Sequence, residues 1–287
     1  MRFQPLRRLL ALGALSLALS GMLPANAKAP NVVFIMVDDM GWGDMGAYGG
    51  DSMATPHLDA MAEEGLRFTQ FYAGSTVCAP SRCALMTGQH LGRASVRGNT
   101  GGVALRDADT TVAELLKRGG YTTGGFGKWG LGDLYTAGAP ERQGFDRFFG
   151  YYHQIHAHYF YPAYLIDTGR KRRLPGNDGF YASGPGAGFF ESEDAEGNQR
   201  VFAQYEIFEE TLQFVRDNAQ RPFFLYAPWT PPHGRYEMPI EDPAVSLYQD
   251  KPWPTKAKVI AAMVSMIDRQ VGELLALIQA LDLDDST

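Results

Sequence analysis

An uninterrupted apolar run near the start of the chain constrains its fold more than any other feature. After Asn31, the residues Val-Val-Phe-Ile-Met-Val carry no polar side chain, and Asp38 and Asp39 follow directly. A strand that is apolar on both faces is typical of a parallel sheet covered on both sides, because a sheet with one wet face alternates polar and apolar residues. Residues 31–37 therefore predict a buried parallel strand whose carboxyl end carries two acids.

Helix signals and strand signals alternate along the rest of the chain. Thr55-Pro56 is an N-cap followed by a proline in the first turn, and Thr111 with Glu114 has the spacing of a capping box. Further helices are predicted at residues 201–218 and 255–281, and further strands at residues 66–72, 121–126 and 222–227. This alternation predicts an α/β fold with a mostly parallel central sheet and helices on both faces.

Residues 151–198 differ from the rest of the chain. They are rich in aromatic residues, glycine and proline, and they show little periodicity. This composition predicts long loops over one end of the sheet. Because open α/β sheets bind ligands at the carboxyl ends of their strands, we expect such loops to shape a pocket.

Residues 1–27 have the pattern of a cleaved secretory signal. Three arginines precede an apolar stretch at residues 9–19, and the small-residue sequence Ala-Asn-Ala follows it. The apolar stretch is shorter than the roughly 20 residues that a bilayer span needs. We therefore expect an exported chain, periplasmic or extracellular, that is not anchored in a membrane.

Charge and cysteine content argue against two classes of protein. The sequence has 26 basic and 32 acidic residues, a formal charge of −6. Nucleic acid is not an expected partner, because phosphate contacts usually require a basic surface. Two cysteines do not form a disulfide framework. Cys78 and Cys83 would lie on or beside one short helix with their side chains diverging, so we do not expect them to pair.

The segment Cys-Ala-Pro-Ser-Arg at residues 78–82 places a thiol at the start of a predicted helix. Pro80 suits a first turn, and Gly88 supplies the stop. The N-terminus of a helix attracts anions, and the guanidinium of Arg82 matches the oxygens of a tetrahedral anion. The segment is compatible with an anion site at Cys78, although a small buried cysteine before a surface helix would have the same pattern.

Other candidate functional residues follow predicted strands. Asp38 and Asp39 end the first strand, where adjacent carboxylates repel each other unless a cation holds them. Lys128 and His233 follow two later strands, where lysine can hold an anionic group and histidine can donate a proton to a leaving oxygen. An acidic turn and solvated loop residues are the alternatives for each position taken alone. Together they would meet at one edge of the sheet.

A series of short segments also carries a family resemblance. The segments are residues 31–39, Gly41-Trp42-Gly43, Thr55-Pro56-His57-Leu58-Asp59, the Cys78 segment with Met86-Thr87-Gly88, Gly127-Lys128-Trp129, and Pro232-His233. In this order and spacing they resemble the type I sulfatases of the alkaline-phosphatase superfamily, most of all bacterial arylsulfatase A types. The resemblance runs from about Asn31 to the end. It implies an alkaline-phosphatase-like sandwich, with residues 28–287 as the N-terminal portion of a sulfatase catalytic domain.

The resemblance implies hydrolysis of sulfate esters. In that family a separate maturation enzyme oxidises the cysteine that matches Cys78 to formylglycine. One hydroxyl of the formylglycine hydrate attacks sulfur and releases the alcohol, and the hydrate then collapses to the aldehyde and expels sulfate. Arg82 would hold the hydrate. The substrate would be a sulfated small molecule or a sulfated glycan.

The resemblance also implies a metal site. Asp38 and Asp39 would bind a calcium ion together with the modified Cys78. Lys128 and His233 would contact the sulfate. The ion would polarise the sulfate oxygens and lower the pKa of the attacking hydroxyl.

Two departures from the family pattern leave alternatives open. Gly130 stands where sulfatases often have a histidine, which leaves the proton acceptor for the formylglycine hydroxyl undefined. The sequence ends at Thr287, where family members continue into a strand with two more calcium ligands, so we expect a chain that is incomplete at its C-terminus. The alternatives are a phosphonate or phosphate ester hydrolase of the same superfamily, and an inactive truncated remnant.

Three histidines cluster in the predicted loops, at His153, His156 and His158. Zinc could bind such a spacing, but no cysteine or carboxylate stands nearby in sequence to complete a tetrahedral site. We favour the interpretation that this segment belongs to the wall of a substrate pocket.

Overall fold

A computed structural model describes residues 29–99, 103–178, 180 and 186–287, so the predicted secretory signal at residues 1–27 lies outside the described residues. The strands are β1 (Val32–Asp38), β2 (Thr122–Lys128), β3 (Arg147–Tyr151), β4 (Tyr164–Asp167), β5 (Arg170–Arg173), β6 (Gly188–Phe190), β7 (Phe223–Pro232) and β8 (Glu237–Pro239). The α-helices are α1 (Pro56–Glu64), α2 (Cys78–Thr87), α3 (Val112–Arg118), α4 (Ala203–Asn218) and α5 (Thr255–Ala280).

The central sheet is mostly parallel, as predicted. Its strand order within the described residues is β1-β7-β2-β3-β4-β5. The pairings β1–β7, β7–β2 and β2–β3 are parallel, and β4 and β5 extend the sheet in antiparallel fashion. β1, β2 and β7 therefore direct their carboxyl ends to the same edge of the sheet, which brings distant parts of the sequence together.

Helices cover both faces of this sheet, which also confirms the prediction. Alternate residues of β7 enter different cores: Phe223 and Leu225 pack with α4 and α5, whereas Phe224 and Tyr226 pack with α2 and α3. The period of two explains why β7 is buried along its whole length. The residues of β1 also pack alternately against the two cores, but β1 lies at the edge of the described sheet, so residues 32–37 are only partly buried and not fully buried as predicted.

Several helix ends have the residues and contacts that the sequence predicts, and the start of α1 differs. Thr111 and Glu114 form the capping box of α3, and Gly88 ends α2 in the left-handed conformation at φ +64°. Thr55 precedes α1 but makes no side-chain cap bond. Instead, the carboxylate of Asp268 in α5 accepts from the backbone N–H groups of the first turn of α1, at 2.8 Å in the shorter bond.

Two secondary-structure predictions are wrong. Residues 66–72 do not form a strand, and Leu66, Phe71 and Tyr72 are exposed. Within the described chain β1 pairs only with β7, so no neighbouring strand satisfies the backbone of this partly apolar segment. Residues 151–198 are not loops throughout. They contain the β4–β5 hairpin, whose turn at Thr168 and Gly169 has positive φ at both positions.

No helix within the described ranges is both long enough and apolar enough to cross a membrane.

Candidate active site

The carboxyl ends of β1, β2 and β7 bring the predicted site residues together. Asp38 is the last residue of β1 and Lys128 the last of β2, so Lys128 belongs to the strand itself and not to the loop after it. β7 continues to Pro232, beyond the predicted strand at residues 222–227, and His233 follows it directly. The backbone N–H of His233 donates to the carbonyl of Asp38 at 3.2 Å.

One carboxylate pairs with two buried cations at this edge, which leaves one net positive charge. Lys128 Nζ donates to Asp38 Oδ2 at 2.6 Å, and Arg82 Nη2 lies 3.3 Å from the same oxygen. Arg82 is 1% exposed and Lys128 is 0% exposed. Burial opposes ionisation of Asp38, but the charges of Arg82 and Lys128 outweigh it and hold the pKa of Asp38 below its usual value. We call Asp38, Arg82 and Lys128 the strand-end cluster.

Arg82 reaches Asp38 from the first turns of α2. Its Nη1 also donates to the backbone carbonyl of Lys128 at 2.5 Å, so the guanidinium joins the helix to the ends of two strands. A planar group with several donors can hold both partners at once, which a lysine in this position could not do.

A second acid is linked to two histidines. His233 Nδ1 bonds to Asp39 Oδ2, and His233 Nε2 lies 3.0 Å from His158 Nε2. Burial, together with the nearby Lys128 and His233, lowers the pKa of His158 to about 4. His158 is therefore neutral near pH 7, and it can share a single proton with His233 across the contact.

Cys78 begins α2, as the sequence predicts, and its thiol contacts a side chain from a distant segment. Asn99 Nδ2 donates to Cys78 Sγ at 3.2 Å, and Asn99 Oδ1 accepts from the backbone N–H of Ala79 at 2.9 Å. Asn99 therefore binds both the thiol and the backbone of the first turn of α2. Cys83 is buried and is also a free thiol.

A large cavity lies along one face of the β4–β5 hairpin, and none of the predicted site residues is in its wall. It has a volume of about 800 Å³, and its walls include Asp133, His153, His156, Tyr164 and Lys171. We call it the hairpin cavity. A smaller cavity of about 160 Å³ shares Asp133 and His153 with it and reaches Asn99, Gly130 and Gln154. The two cavities are therefore adjacent, and the smaller one lies on the side of Asn99, the partner of Cys78.

Comparison with known proteins identifies the family. The family model for sulfatases matches residues 30–287. This chain belongs to the sulfatase family. It is 32% identical to canine N-acetylgalactosamine-6-sulfatase over 98% of this chain and 52% of that protein. It is 47% identical to human arylsulfatase A over 48% of this chain and 28% of that protein. The chain thus spans about half the length of the curated relatives that it matches most fully.

Solved structures agree at the level of the fold. A sulfatase from Pseudoalteromonas sp. superposes with a TM-score of 0.69 at 25% identity, covering 99% of this chain and 58% of that one. A phosphonate monoester hydrolase from Agrobacterium radiobacter superposes with a TM-score of 0.60 at 18% identity, covering 90% of this chain and 61% of that one. The alkaline-phosphatase-like α/β fold is therefore confirmed.

The donors present at the sulfatase-family site fit a hard cation in part. Ligand atoms of Asp38, Asp39 and His233 lie within 4.8 Å of one another. Carboxylate oxygens are the donors that calcium prefers, whereas an imidazole nitrogen suits transition metals better. Cys78 is not a member of this group in the described part of the chain, and neither are the three clustered histidines. The two aspartates therefore remain the candidate calcium ligands.

Gly130 shows what replaces the histidine that many sulfatases have there. Its φ is +76°, and an added Cβ would lie 3.0 Å from Gln154 Cγ and 3.6 Å from Arg82 Cδ. Gln154 Nε2 in turn lies 3.4 Å from Asn99 Oδ1. The space beside Arg82 is thus filled by Gln154, which sequence reasoning did not single out.

Sequence reasoning also missed Asn99 and left the roles of the histidines open. Asn99 belongs to a stretch of sequence with no periodic or motif signal, so only its contact with Cys78 reveals it. The cluster at residues 153–158 divides between two places: His158 contacts His233, whereas His156 packs against Tyr164 in the wall of the hairpin cavity. The pocket-wall interpretation fits His153 and His156, but His158 belongs with the strand ends.

Proposed function

We propose that this site hydrolyses sulfate esters with a nucleophile derived from Cys78. The observation that carries the proposal is the convergence of Asp38, Arg82 and Lys128 at the strand ends of a sulfatase-family chain whose Cys78 begins a helix at the same edge. Two buried cations and a helix N-terminus favour an anionic, tetrahedral group. Oxidised to formylglycine by a maturation enzyme, Cys78 would supply the hydroxyl of an aldehyde hydrate as nucleophile.

The chain's own residues would orient and screen this reaction. Asn99 Nδ2 donates to the Cys78 thiol, and it can equally donate to an oxygen that replaces the sulfur. Lys128 and Arg82 would balance the negative charge of the sulfate while it approaches a site that already contains a carboxylate. Because both cations are buried and fixed, they would not have to reorganise when charge shifts during the S–O bond cleavage.

His233 is placed to move a proton. Its ring contacts Asp39 on one side and His158 on the other, so its orientation is fixed by both nitrogens. Cleavage of the ester leaves an alkoxide that needs a proton, and a histidine held in this way can donate it. The pair His158–His233 would then be reprotonated from solvent.

A calcium ion is proposed as the cofactor, held by Asp38 and Asp39. When bound, such an ion would polarise sulfate oxygens and favour ionisation of the attacking hydroxyl. Asp38 also contacts Lys128 and Arg82, so the ion and these two cations would compete for one carboxylate. Because the ion would bind the folded chain and not the unfolded chain, we expect calcium to raise the thermal stability even without substrate.

The proposed substrates are sulfated small molecules or sulfated glycans. Curated relatives include N-acetylgalactosamine-6-sulfatases, whose name denotes a sulfated sugar, and arylsulfatases. Residues 1–27 support export to the periplasm or beyond, because they have the pattern of a secretory signal.

The test is to express the full chain together with a formylglycine-generating enzyme and to assay 4-nitrophenyl sulfate hydrolysis. Peptide mass spectrometry should find the aldehyde at Cys78. Cys78→Ala should abolish turnover, whereas Cys83→Ala, which removes a buried free thiol on the same helix, should retain formylglycine at Cys78. Calcium is tested separately by following the thermal transition during titration, with Asp39→Asn as the variant that should respond less.

Parallel assays with 4-nitrophenyl phosphate and phenylphosphonate decide between the ester classes. Faster turnover of either than of the sulfate would replace the proposal with the phosphonate or phosphate hydrolase alternative. A fully converted Cys78 with no turnover of any ester would support the inactive remnant.

A further inference from the structure

The two faces of the β4–β5 hairpin serve different neighbours. The register pairs Tyr164 with Arg173 and Ile166 with Lys171, so these four side chains share one face of the hairpin. Tyr164, Ile166 and Lys171 line the hairpin cavity. Arg172 points to the other face, where it bonds to Glu206 and Glu210 of α4 at 2.8 and 2.6 Å.

Lys171 is the cation of this cavity face without a carboxylate partner. Arg173 is neutralised by Asp178 at 2.6 Å. Within the described ranges, no carboxylate lies at ion-pair distance from Lys171, and its Nζ instead lies 4.3 Å from the centroid of the Tyr164 ring. A lysine held over an aromatic face keeps most of its capacity to bind an anion, because the ring carries no net charge and does not neutralise the ammonium group.

The walls around Lys171 suit a hydroxylated saccharide ring. The His156 and Tyr164 rings lie 4.5 Å apart and form one part of the wall, and Leu134 and Ile166 add apolar surface. Burial lowers the pKa of His156 to about 4, which makes this ring neutral near pH 7. Asp133 adds a carboxylate that can accept hydrogen bonds from hydroxyl groups.

The position of the cavity relates it to the reaction. The hairpin cavity meets the smaller cavity at Asp133, His153 and Ile155, and the smaller cavity reaches Asn99, the partner of Cys78. The two cavities are therefore neighbours, and a leaving group that extends from Cys78 past Gly130 and Gln154 would enter the hairpin cavity next. At about 800 Å³, the cavity has room for a further ring.

We propose that the hairpin cavity binds a saccharide ring of the leaving group, and that Lys171 binds a second anionic substituent on that ring. The ligand class is an anionic saccharide with two negative groups, one at Cys78 and one at Lys171. This inference rests on the proposed function, since it takes Cys78 as the reacting end. The second group is a carboxylate or a sulfate, and the probes below distinguish the two.

The test measures binding without turnover, by calorimetric titration of the full chain carrying Cys78→Ala. The probes are N-acetylgalactosamine 6-sulfate, the 6-sulfated chondroitin disaccharide, which adds a carboxylate on a second ring, and the 4,6-disulfated disaccharide. Lys171→Met should weaken binding of the disulfated disaccharide about fivefold to tenfold, because a charged hydrogen bond is lost, and should leave the monosaccharide within about twofold. A loss confined to the disulfated probe assigns the second group as sulfate, and an equal loss for both disaccharides assigns it as carboxylate.

Matched variants separate this role from a structural one. Methionine retains an aliphatic stem over Tyr164, and Lys171→Arg should restore binding to within about twofold. Arg170→Met removes the same charge from the same strand on the opposite face and should have no effect. Equal weakening by Arg170→Met, equal weakening of all three probes, or disaccharide binding no tighter than that of the monosaccharide would overturn the proposal. Failure of ester hydrolysis alone would leave these binding results unchanged, so the two proposals fail separately.

Discussion

The strand-end cluster and the β4–β5 hairpin both combine basic side chains with carboxylates, but they do so in different surroundings. Arg82 and Lys128 are almost fully buried and share the single carboxylate of Asp38. Arg172 is partly exposed and has two carboxylates. Water cannot replace the partner of a buried charge, whereas it readily does so at the surface. The same residue types therefore define a site in one region and a solvated face in the other.

Removal of Asp38 is expected to have the largest effect on stability. Asp38→Asn leaves two buried cations without a counter-charge, and we expect a loss of about 3 kcal/mol or more in the free energy of unfolding. Asp39→Asn is the matched control, because Asp39 is exposed and its loss should cost less than about 1 kcal/mol. Urea denaturation of both variants measures the difference. Similar losses would show that Asp38 is not the counter-charge of a buried site.

The hairpin cavity should make stability depend on pH. Burial lowers the pKa of His156 to about 4 from a usual value of 6.5. The charges of His153 and Lys171 act in the same direction, and that of Asp133 opposes them. Between these values the unfolded chain binds a proton that the folded chain does not, so the stability present above pH 6.5 is lost as the pH falls toward 4. We expect a contribution on the order of 2 kcal/mol.

His156→Gln removes this titration. Unfolding curves at pH 7 and pH 4.5 should therefore diverge less for the variant than for the wild type. A pH dependence that is the same in both proteins would exclude His156 as its source.

Gly130, which lies between the two regions, offers a smaller effect. Gly130→Ala adds a Cβ at φ +76° and 3.0 Å from Gln154, so we expect a loss of about 1 to 2 kcal/mol. Gly120→Ala is the control, since its φ is also positive at +89° but nothing lies within 4 Å of the added Cβ. If thermal unfolding shows equal losses, the contact with Gln154 does not matter and the backbone conformation accounts for the whole effect.

The smallest effect is expected on the outer face of the hairpin. Arg172→Met removes two partly exposed ion pairs but keeps an apolar stem near Phe149, so the loss should be below about 1 kcal/mol. Adding 0.5 M salt should reduce the difference between wild type and variant. A loss as large as that of Asp38→Asn would remove the contrast between the two regions.

Much of the architecture was predictable because its signals are local. The apolar run of β1, the capping box of Thr111 and Glu114, and the glycine stop at Gly88 each depend on residues adjacent in sequence. Residues 66–72 show the limit of such reasoning. Their apolar pattern is strand-like, but a strand also needs a neighbour, and the pattern does not report whether one is present.

The sequence by itself determined the sulfatase-family resemblance, the α/β class with a mostly parallel sheet, and the candidates Asp38, Asp39, Cys78, Arg82, Lys128 and His233. Only the tertiary structure decided which side chains complete the site. Asn99 holds Cys78 and His158 contacts His233 across 75 residues of sequence. Strand ends can be inferred from a one-dimensional pattern, but a hydrogen bond between distant segments depends on how the packed sheet and its loops bring them together.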